Sequence, residues 1–350
     1  MNIPSFQHKL PAAPSTAPSL PSHPVNPNHR VQSHFSTLAG GGQKGSWSIE
    51  KPAKTDVQAV YKSLTGAKLY QFVQRYLMTK EQLLENGYPH AHPDVKGKAV
   101  CKLDSRAVLS PSPTERYCSR CNALFVVDDW GFPKAIVSCA YHWGRANKRR
   151  VATGLETRYS CCMGDLQSEG CCLASTHVSD NLNPDNYTGF VSTLPPNPGT
   201  SSHHAVYALD CEMCYTTGGS ELTRVTVVDH DSRVVYESFV QPHNQILDYN
   251  TRFSGITEEQ LEDVTTTLRD VQAALLTLFS SSTVLVGHSL ESDFRALKLI
   301  HHTVVDTSVL FPHKMGPPYK RALRNLASEH LKKIIQNDGD SCCPRHDLNF

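Results

Sequence analysis

Between residues 205 and 336 the apolar positions alternate between two spacings. The stretch AVYALDCEM, residues 205–213, is apolar enough for a central strand, and its alternation predicts one over 206–213. Further strands are expected at 222–229 and 233–240, joined by the turn HDSR. A helical period then predicts a helix over 268–279. After it come a strand at 283–288, a helix at 290–300, a short strand in TVVDT (303–307) and a last helix over 319–336. Three strands followed by βαβα predict an α/β fold with a mixed sheet covered by helices.

Upstream the pattern is weaker. Leu69, Phe72, Val73, Tyr76 and Leu77 fall at helical spacing, and Thr79 with Gln82 forms a capping-box pattern closed by Gly87, with Pro89 beyond. A short helical segment is therefore expected over 56–100. Residues 1–55 are rich in Pro, Ser, His and Gly without hydrophobic period and are expected to be disordered. Residues 101–180 are rich in Cys and His, and 181–204 carry Pro, Asn and Gly at the density of a linker.

The charge is nearly balanced, 34 Lys+Arg against 33 Asp+Glu, so any attraction to nucleic acid must come from local clusters. The N-terminus lacks the apolar core of a signal peptide and no stretch approaches a membrane span, which predicts an intracellular protein with no membrane partner. There the 12 cysteines are expected to stay reduced, and clustered ones read as metal ligands.

Asp210 and Glu212 are two positions apart in the strand at 206–213, so their carboxylates share one face. Alone, the pair repels itself and costs desolvation; a hard divalent cation, Mg2+ or Mn2+, makes it reasonable. Asp293 sits where the strand ending at Gly287-His288 gives way to a helix, a junction where α/β folds place their sites. Three carboxylates could complete a two-metal site for in-line displacement at phosphorus, which is phosphodiester hydrolysis. Asp306 reads instead as a helix cap, and Cys211 and Cys214 as core packing despite their C-x-x-C spacing.

YALDCEM, RVTVVD, YNTRFSGIT, VGHSLESDFRALK and VVDTSVLFPH, in that order, resemble the DEDDh 3′→5′ exonucleases, and among them the RNA exonuclease 1 homologue family. The resemblance runs over roughly 60–336. It implies an RNase H-like fold over 205–340 and two Mg2+ or Mn2+ ions held by Asp210, Glu212 and Asp293. It also implies a terminal nucleotide beside Ser254, Gly255, Ile256 and Thr257, and RNA 3′ ends as substrate with nucleoside 5′-monophosphates as product. The family's third motif, a general-base His followed four residues later by a metal-binding Asp, does not appear. After Asp338 the tail GDSCCPRHDLNF diverges, His346 is followed directly by Asp347, and its fourth residue onward is Phe350. The nuclease domain is therefore expected to be truncated before that motif, with 341–350 as a divergent tail. His288 and His330 are the nearby substitutes for the base. Loss of a general base costs about 10²–10⁴ in rate.

Cys118-x-x-Cys121 and Cys139-x-x-His142 have zinc-ligand spacing, and Cys161, Cys162, Cys171 and His177 supply four more donors, with Cys172 spare. Eight donors make two structural Zn2+ sites whose pairing sequence order leaves open. The C-x-x-C, C-A-Y-H, S-C-C pattern also resembles a CHORD-type zinc module. Basic runs follow at Arg145, Lys148, Arg149 and Arg150, and at Lys314, Lys320, Arg321 and Arg324, as surfaces for phosphate contact; NKRR also reads as a nuclear-import signal, predicting a nuclear protein. The expected function is a metal-dependent 3′→5′ RNA exonuclease preceded by a zinc module. The alternatives are a nucleic-acid-binding protein without turnover, and an adaptor that holds a protein partner through the zinc module or the N-terminus.

Overall fold

A computed structural model describes residues 64–103, 108–151, 154–196 and 205–336. The expectations for 1–55 and for the tail after 336 lie outside those residues. The central sheet is built from β1 (Val206–Thr216), β2 (Gly219–Val228), β3 (Val234–Phe239), β4 (Ile246–Asp248), β5 (Val284–Gly287) and β6 (Val304–Asp306). Its order is β3-β2-β1-β5-β6, with β4 pairing the far end of β1. β2 runs antiparallel to both β1 and β3, whereas β5 and β6 run parallel to β1 and to each other. This is the mixed sheet expected from the pattern, in the RNase H-like arrangement that the family resemblance implies. β1 and β2 outrun the expected strands because the tight turn at Gly218-Gly219 lets pairing continue to Thr216.

Helices α1 (Gly66–Val73), α2 (Lys80–Glu85), α3 (Thr251–Ser254), α4 (Leu268–Leu278) and α5 (Leu290–Ala296) accompany the sheet. The Thr79–Gln82 capping box forms as read, with Gln82 N–H donating to Thr79 Oγ1 at 3.2 Å. One core joins Leu209, Val225 and Val227 from the sheet to Val271 and Leu275 of α4 and Phe294 of α5. Met78, Leu83 and Tyr88 belong to that same core. The helical segment is thus part of the same body as the sheet, and Tyr88 is its deepest anchor. Its ring meets Phe294 edge-on at 5.6 Å, and its hydroxyl donates to Asp306 Oδ2 at 2.6 Å.

Three expectations need correction. Residues 181–196 are not a free linker: Tyr187 and Phe190 are buried against Ile300, and Val191–Ser192 pairs in parallel with Leu299–Ile300. That pairing also stops the helix expected to reach 300, which ends at Ala296. The helix expected over 319–336 is cut to Leu323–Leu326 and a five-residue π turn at Ala327–Leu331. Pro317 and Pro318 keep the preceding backbone out of the helical region.

Candidate active site and metal-ligand groups

Asp210 and Glu212 lie on one face of β1, opposite Thr226 and Arg224 of β2. Asp293 enters from the first turn of α5. The strand-to-helix junction allows this because Gly287 has no side chain: a Cβ there would lie 2.5 Å from Leu290 Cδ2. Ser289 takes a left-handed φ of 62°, and its N–H donates to Asp306 Oδ1 at 2.9 Å. Asp306 Oδ1 also accepts from Ser308 N–H at 2.8 Å, so it caps the next helix and ties β6 to α5, as the capping reading expects. Asp293 Oδ1 accepts from Cys211 N–H at 2.8 Å, the amide between the two strand acids. The fold therefore brings Asp293, 81 residues on from Glu212 (293 − 212) and 83 from Asp210 (293 − 210), to the backbone between those two acids.

Their electrostatics are those of crowded acids. Burial and then the charge of Asp210 push Asp293 up to about 7. Burial and then Asp210 do the same to Glu212, to about 7, with Arg224 opposing. Asp210 is exposed to solvent, yet desolvation still raises it, against Arg224 and His288. An all-oxygen donor set that resists carrying its own charge fits a hard divalent cation. A cleft of about 1520 Å³, lined by Arg116, Trp130, Glu221 and Arg295, includes none of the three acids, so volume alone does not locate the chemistry.

The neighbouring residues sort differently from the sequence reading. Ser254 and Ile256 are buried and hold their turn: Ser254 Oγ donates to Tyr249 O at 2.9 Å and accepts from Ile256 N–H at 3.0 Å. Thr257 caps a following helical turn with Gln260. The groups this turn exposes are Gly255 and Phe253, the latter 59% exposed and missed because its motif reads as backbone-driven. His288 is held by Thr307 Oγ1 at 2.9 Å, with the Arg321 backbone beside it, and burial keeps its pKa low. His330 packs on Phe311 at 4.8 Å between ring centres. Lys320 is paired with Glu291 at 2.6 Å and Arg321 with Glu329, so both serve internal ion pairs before any phosphate.

The Cys/His segment is built from short hairpins, Glu115–Tyr117 with Leu124–Val126 and Ala146–Val151 with Gly154–Tyr159, and from Cys139–Tyr141 paired with Cys172–Ala174. Its donors form two groups, each with all ligand atoms within 4.8 Å of one another: Cys118, Cys121, Cys139 and His177, then His142, Cys161, Cys162 and Cys171. The pairing is interleaved. Cys139 and His142, three apart in sequence, go to different groups because the strand between them points them apart. Tetrahedral Zn–S bonds of about 2.3 Å imply sulphurs about 3.8 Å apart. Cys118 and Cys139 sulphurs are 3.7 Å apart, Cys121 Sγ lies 3.3 Å from His177 Nδ1, and Cys162 Sγ lies 3.4 Å from His142 Nδ1. Burial would raise the Cys118 thiol, but N–H groups of Cys121, Arg120 and Val178 together with His177 draw it down to about 7, toward the thiolate that binds metal. These donors fit Zn2+. Cys172 stays outside both groups, and Cys211 and Cys214 are buried in the core as expected. Arg145, Lys148, Arg149 and Arg150 are all exposed along the 146–159 hairpin.

The chain is similar to several known exonucleases. The chain is 48% identical to human RNA exonuclease 1 homolog over 329 residues, 94% of this chain and 26% of that protein. The chain is related to the RNA exonucleases. It is also 50% identical to human putative exonuclease GOR over 79% of its length and 41% of the relative's, and 35% identical to RNA exonuclease 3 of Candida albicans over 65% and 55%. The chain thus spans a quarter to about half of the length of the proteins it matches. A family model described as ElonginA binding-protein 1 matches residues 6–105. The Neurospora crassa Pan2 catalytic unit, with protease and nuclease domains, overlaps 42% of this chain and 26% of its own at 24% identity and a TM-score of 0.36, too loosely to bear on the chemistry. No helix among the described residues is long and apolar enough to cross a membrane.

Proposed function

We propose that this chain is a metal-dependent exonuclease that degrades RNA from the 3′ end and releases nucleoside 5′-monophosphates. The observation that carries this reading is Asp293, on α5, hydrogen-bonded to the Cys211 backbone N–H between Asp210 and Glu212, with the charge of Asp210 raising the pKa of both other carboxylates. Its relatives include the human RNA exonuclease 1 homolog and the Candida albicans RNA exonuclease 3. Asp210, Glu212 and Asp293 would hold two Mg2+ or Mn2+ ions, which when bound supply positive charge to the phosphate and lower the pKa of water. The protein's own part is orientation. The Cys211 amide and Ser292 hydroxyl hold the Asp293 carboxylate, and the exposed ring of Phe253 offers a face on which a terminal base can stack. The basic hairpin at 146–159 would contact the phosphates of the same strand.

A second reading, RNA binding without turnover, has its own support. Among the described residues no histidine hydrogen-bonds an acid of the site, and His288 is already engaged by Thr307. One experiment separates the two. A 5′-labelled single-stranded RNA is incubated with the chain and Mg2+ or Mn2+, and the products are resolved at single-nucleotide spacing. The expected result is a ladder that is slowed roughly 10²–10³-fold in Asp210→Asn, the usual loss of one electrostatic group at a reacting centre. A ladder no stronger than that of Asp210→Asn, with salt-sensitive RNA binding retained, would transfer the conclusion to the binding reading. The protein-partner reading attaches to 6–105, where the matching family description names an Elongin A binder.

A further inference from the structure

The turn that carries Phe253 and Gly255 is gripped from two directions by the Cys/His segment. In the first donor group, Ser119 and Arg120 lie between Cys118 and Cys121, and the Arg120 N–H donates to Cys118 Sγ at 3.4 Å. The backbone that presents the sulphurs therefore also sets the direction in which the Arg120 side chain leaves. Its guanidinium passes between two rings, 5.1 Å from the centre of Tyr141 and 5.3 Å from that of Tyr215. Tyr141 lies between Cys139 of the first group and His142 of the second; Tyr215 is three residues beyond Glu212 on β1. The guanidinium then meets Asp248 as a fork, Nη1 to Oδ2 at 2.7 Å and Nη2 to Oδ1 at 2.9 Å.

Asp248 is where β4 ends and the turn begins. Its Oδ1 also accepts from Asn250 N–H at 2.8 Å, and Asn250 holds a left-handed φ of 54°. Beyond it Thr251 Oγ1 donates to Ile256 O at 2.6 Å, closing the loop. Independently, the Arg252 guanidinium lies 4.1 Å over the ring of Trp143, the neighbour of His142 in the second donor group. A paired fork held between aromatic faces is a geometry that Arg makes and Lys does not.

We propose that the zinc-bound Cys/His segment sets the affinity of the nuclease for its RNA end, with Arg120 as the positioning residue that fixes Asp248 and through it the turn 249–257. The inference rests on the exonuclease reading for its substrate, but the mechanical link is a separate claim with its own readout. Arg120 touches none of Asp210, Glu212 and Asp293; its hydrogen-bonded link to the turn is through Asp248.

The test compares wild type, Arg120→Lys, Arg120→Ala, Asp248→Ala and the Arg120→Ala/Asp248→Ala double variant. Zinc content is measured on each to show that both donor groups stay loaded. Amide hydrogen exchange over 249–257 reports the turn directly, and binding of a single-stranded RNA is followed with Ca2+ in place of Mg2+. In the zinc-loaded single variants, exchange at 249–257 is expected to speed up while β1 and β2 stay protected. Kd and KM should rise roughly tenfold, a change of about 1.4 kcal/mol, with kcat within about threefold of wild type. The double variant should be little worse than either single one, because both break the same link. Arg120→Lys should recover part of the affinity by keeping the charge. Arg120→Ala that keeps its zinc, its exchange pattern and its Kd would overturn the proposal, as would additive losses in the double variant. If the wild type degrades no RNA, the exonuclease reading falls, while the link from Arg120 to the turn is still decided by exchange at 249–257.

Discussion

Strands β1 and β2 run 11 and 10 residues and bury Val225 and Val227 completely, whereas no strand between 115 and 174 is longer than six residues. The sheet offsets the entropy of ordering its backbone, about 1–2 kcal/mol per residue, with apolar burial shared across β1, β2, α4 and α5. The Cys/His segment leaves Trp130, Ile136, Leu155 and Leu173 more than 70% exposed, and its buried cluster is Cys171 and Cys172 with rings and thiols of the second donor group around them. That contrast predicts a segment whose folding depends on metal ions at its two donor groups and a sheet whose folding does not. The same difference explains why the two parts meet through side-chain forks and stacked rings, Arg120 with Asp248 and Arg252 with Trp143, more than through a common core.

Metal removal puts that contrast to its hardest test. Stripping Zn2+ with a chelator should cost the Cys/His segment on the order of 10 kcal/mol per site. Amide exchange should therefore collapse over 115–178 and persist over 206–228. Simultaneous loss of protection in both would mean that the segment is part of the sheet's cooperative unit. A smaller effect probes the sheet side. Tyr88→Phe removes the hydroxyl from Asp306 Oδ2 and should lower stability by about 1.5–3 kcal/mol, read from the denaturant midpoint. Zinc content should not change.

A third effect is a pH dependence confined to the acid site. Glu212 and Asp293 are both held near 7 in the folded chain, above their ordinary carboxylate values. The native state therefore binds more protons than the unfolded chain between those values and 7. That stabilising contribution is complete at pH 4 and is lost as pH rises through 7. With Zn2+ kept loaded, Tm without Mg2+ should fall between pH 5.5 and pH 8, and adding Mg2+ should raise it more at pH 8 than at pH 5.5. An equal Mg2+ effect at both pH values would mean the ion does not compete with protons at these acids.

Sequence alone was enough for the sheet and its acids because both depend on local period: alternation placed Asp210 and Glu212 on one face, and the strand-to-helix junction marked Asp293. The capping roles of Thr79 and Asp306 follow equally short-range rules. It was also enough to identify eight metal donors, because ligand spacing within a hairpin turn is a local property. It could not pair them, since Cys139 and His142 separate only when the hairpins fold back on each other. Nor could periodicity show that residues 181–196 and 66–88 pack against the sheet and its helices. Their contacts, Val191 with Leu299 and Tyr88 with Asp306, join positions more than a hundred residues apart. The clearest case is Arg120. In sequence it is an ordinary residue inside a C-x-x-C loop, and only the tertiary structure carries it between Tyr141 and Tyr215 to Asp248, because long-range ion pairs leave no period along the chain.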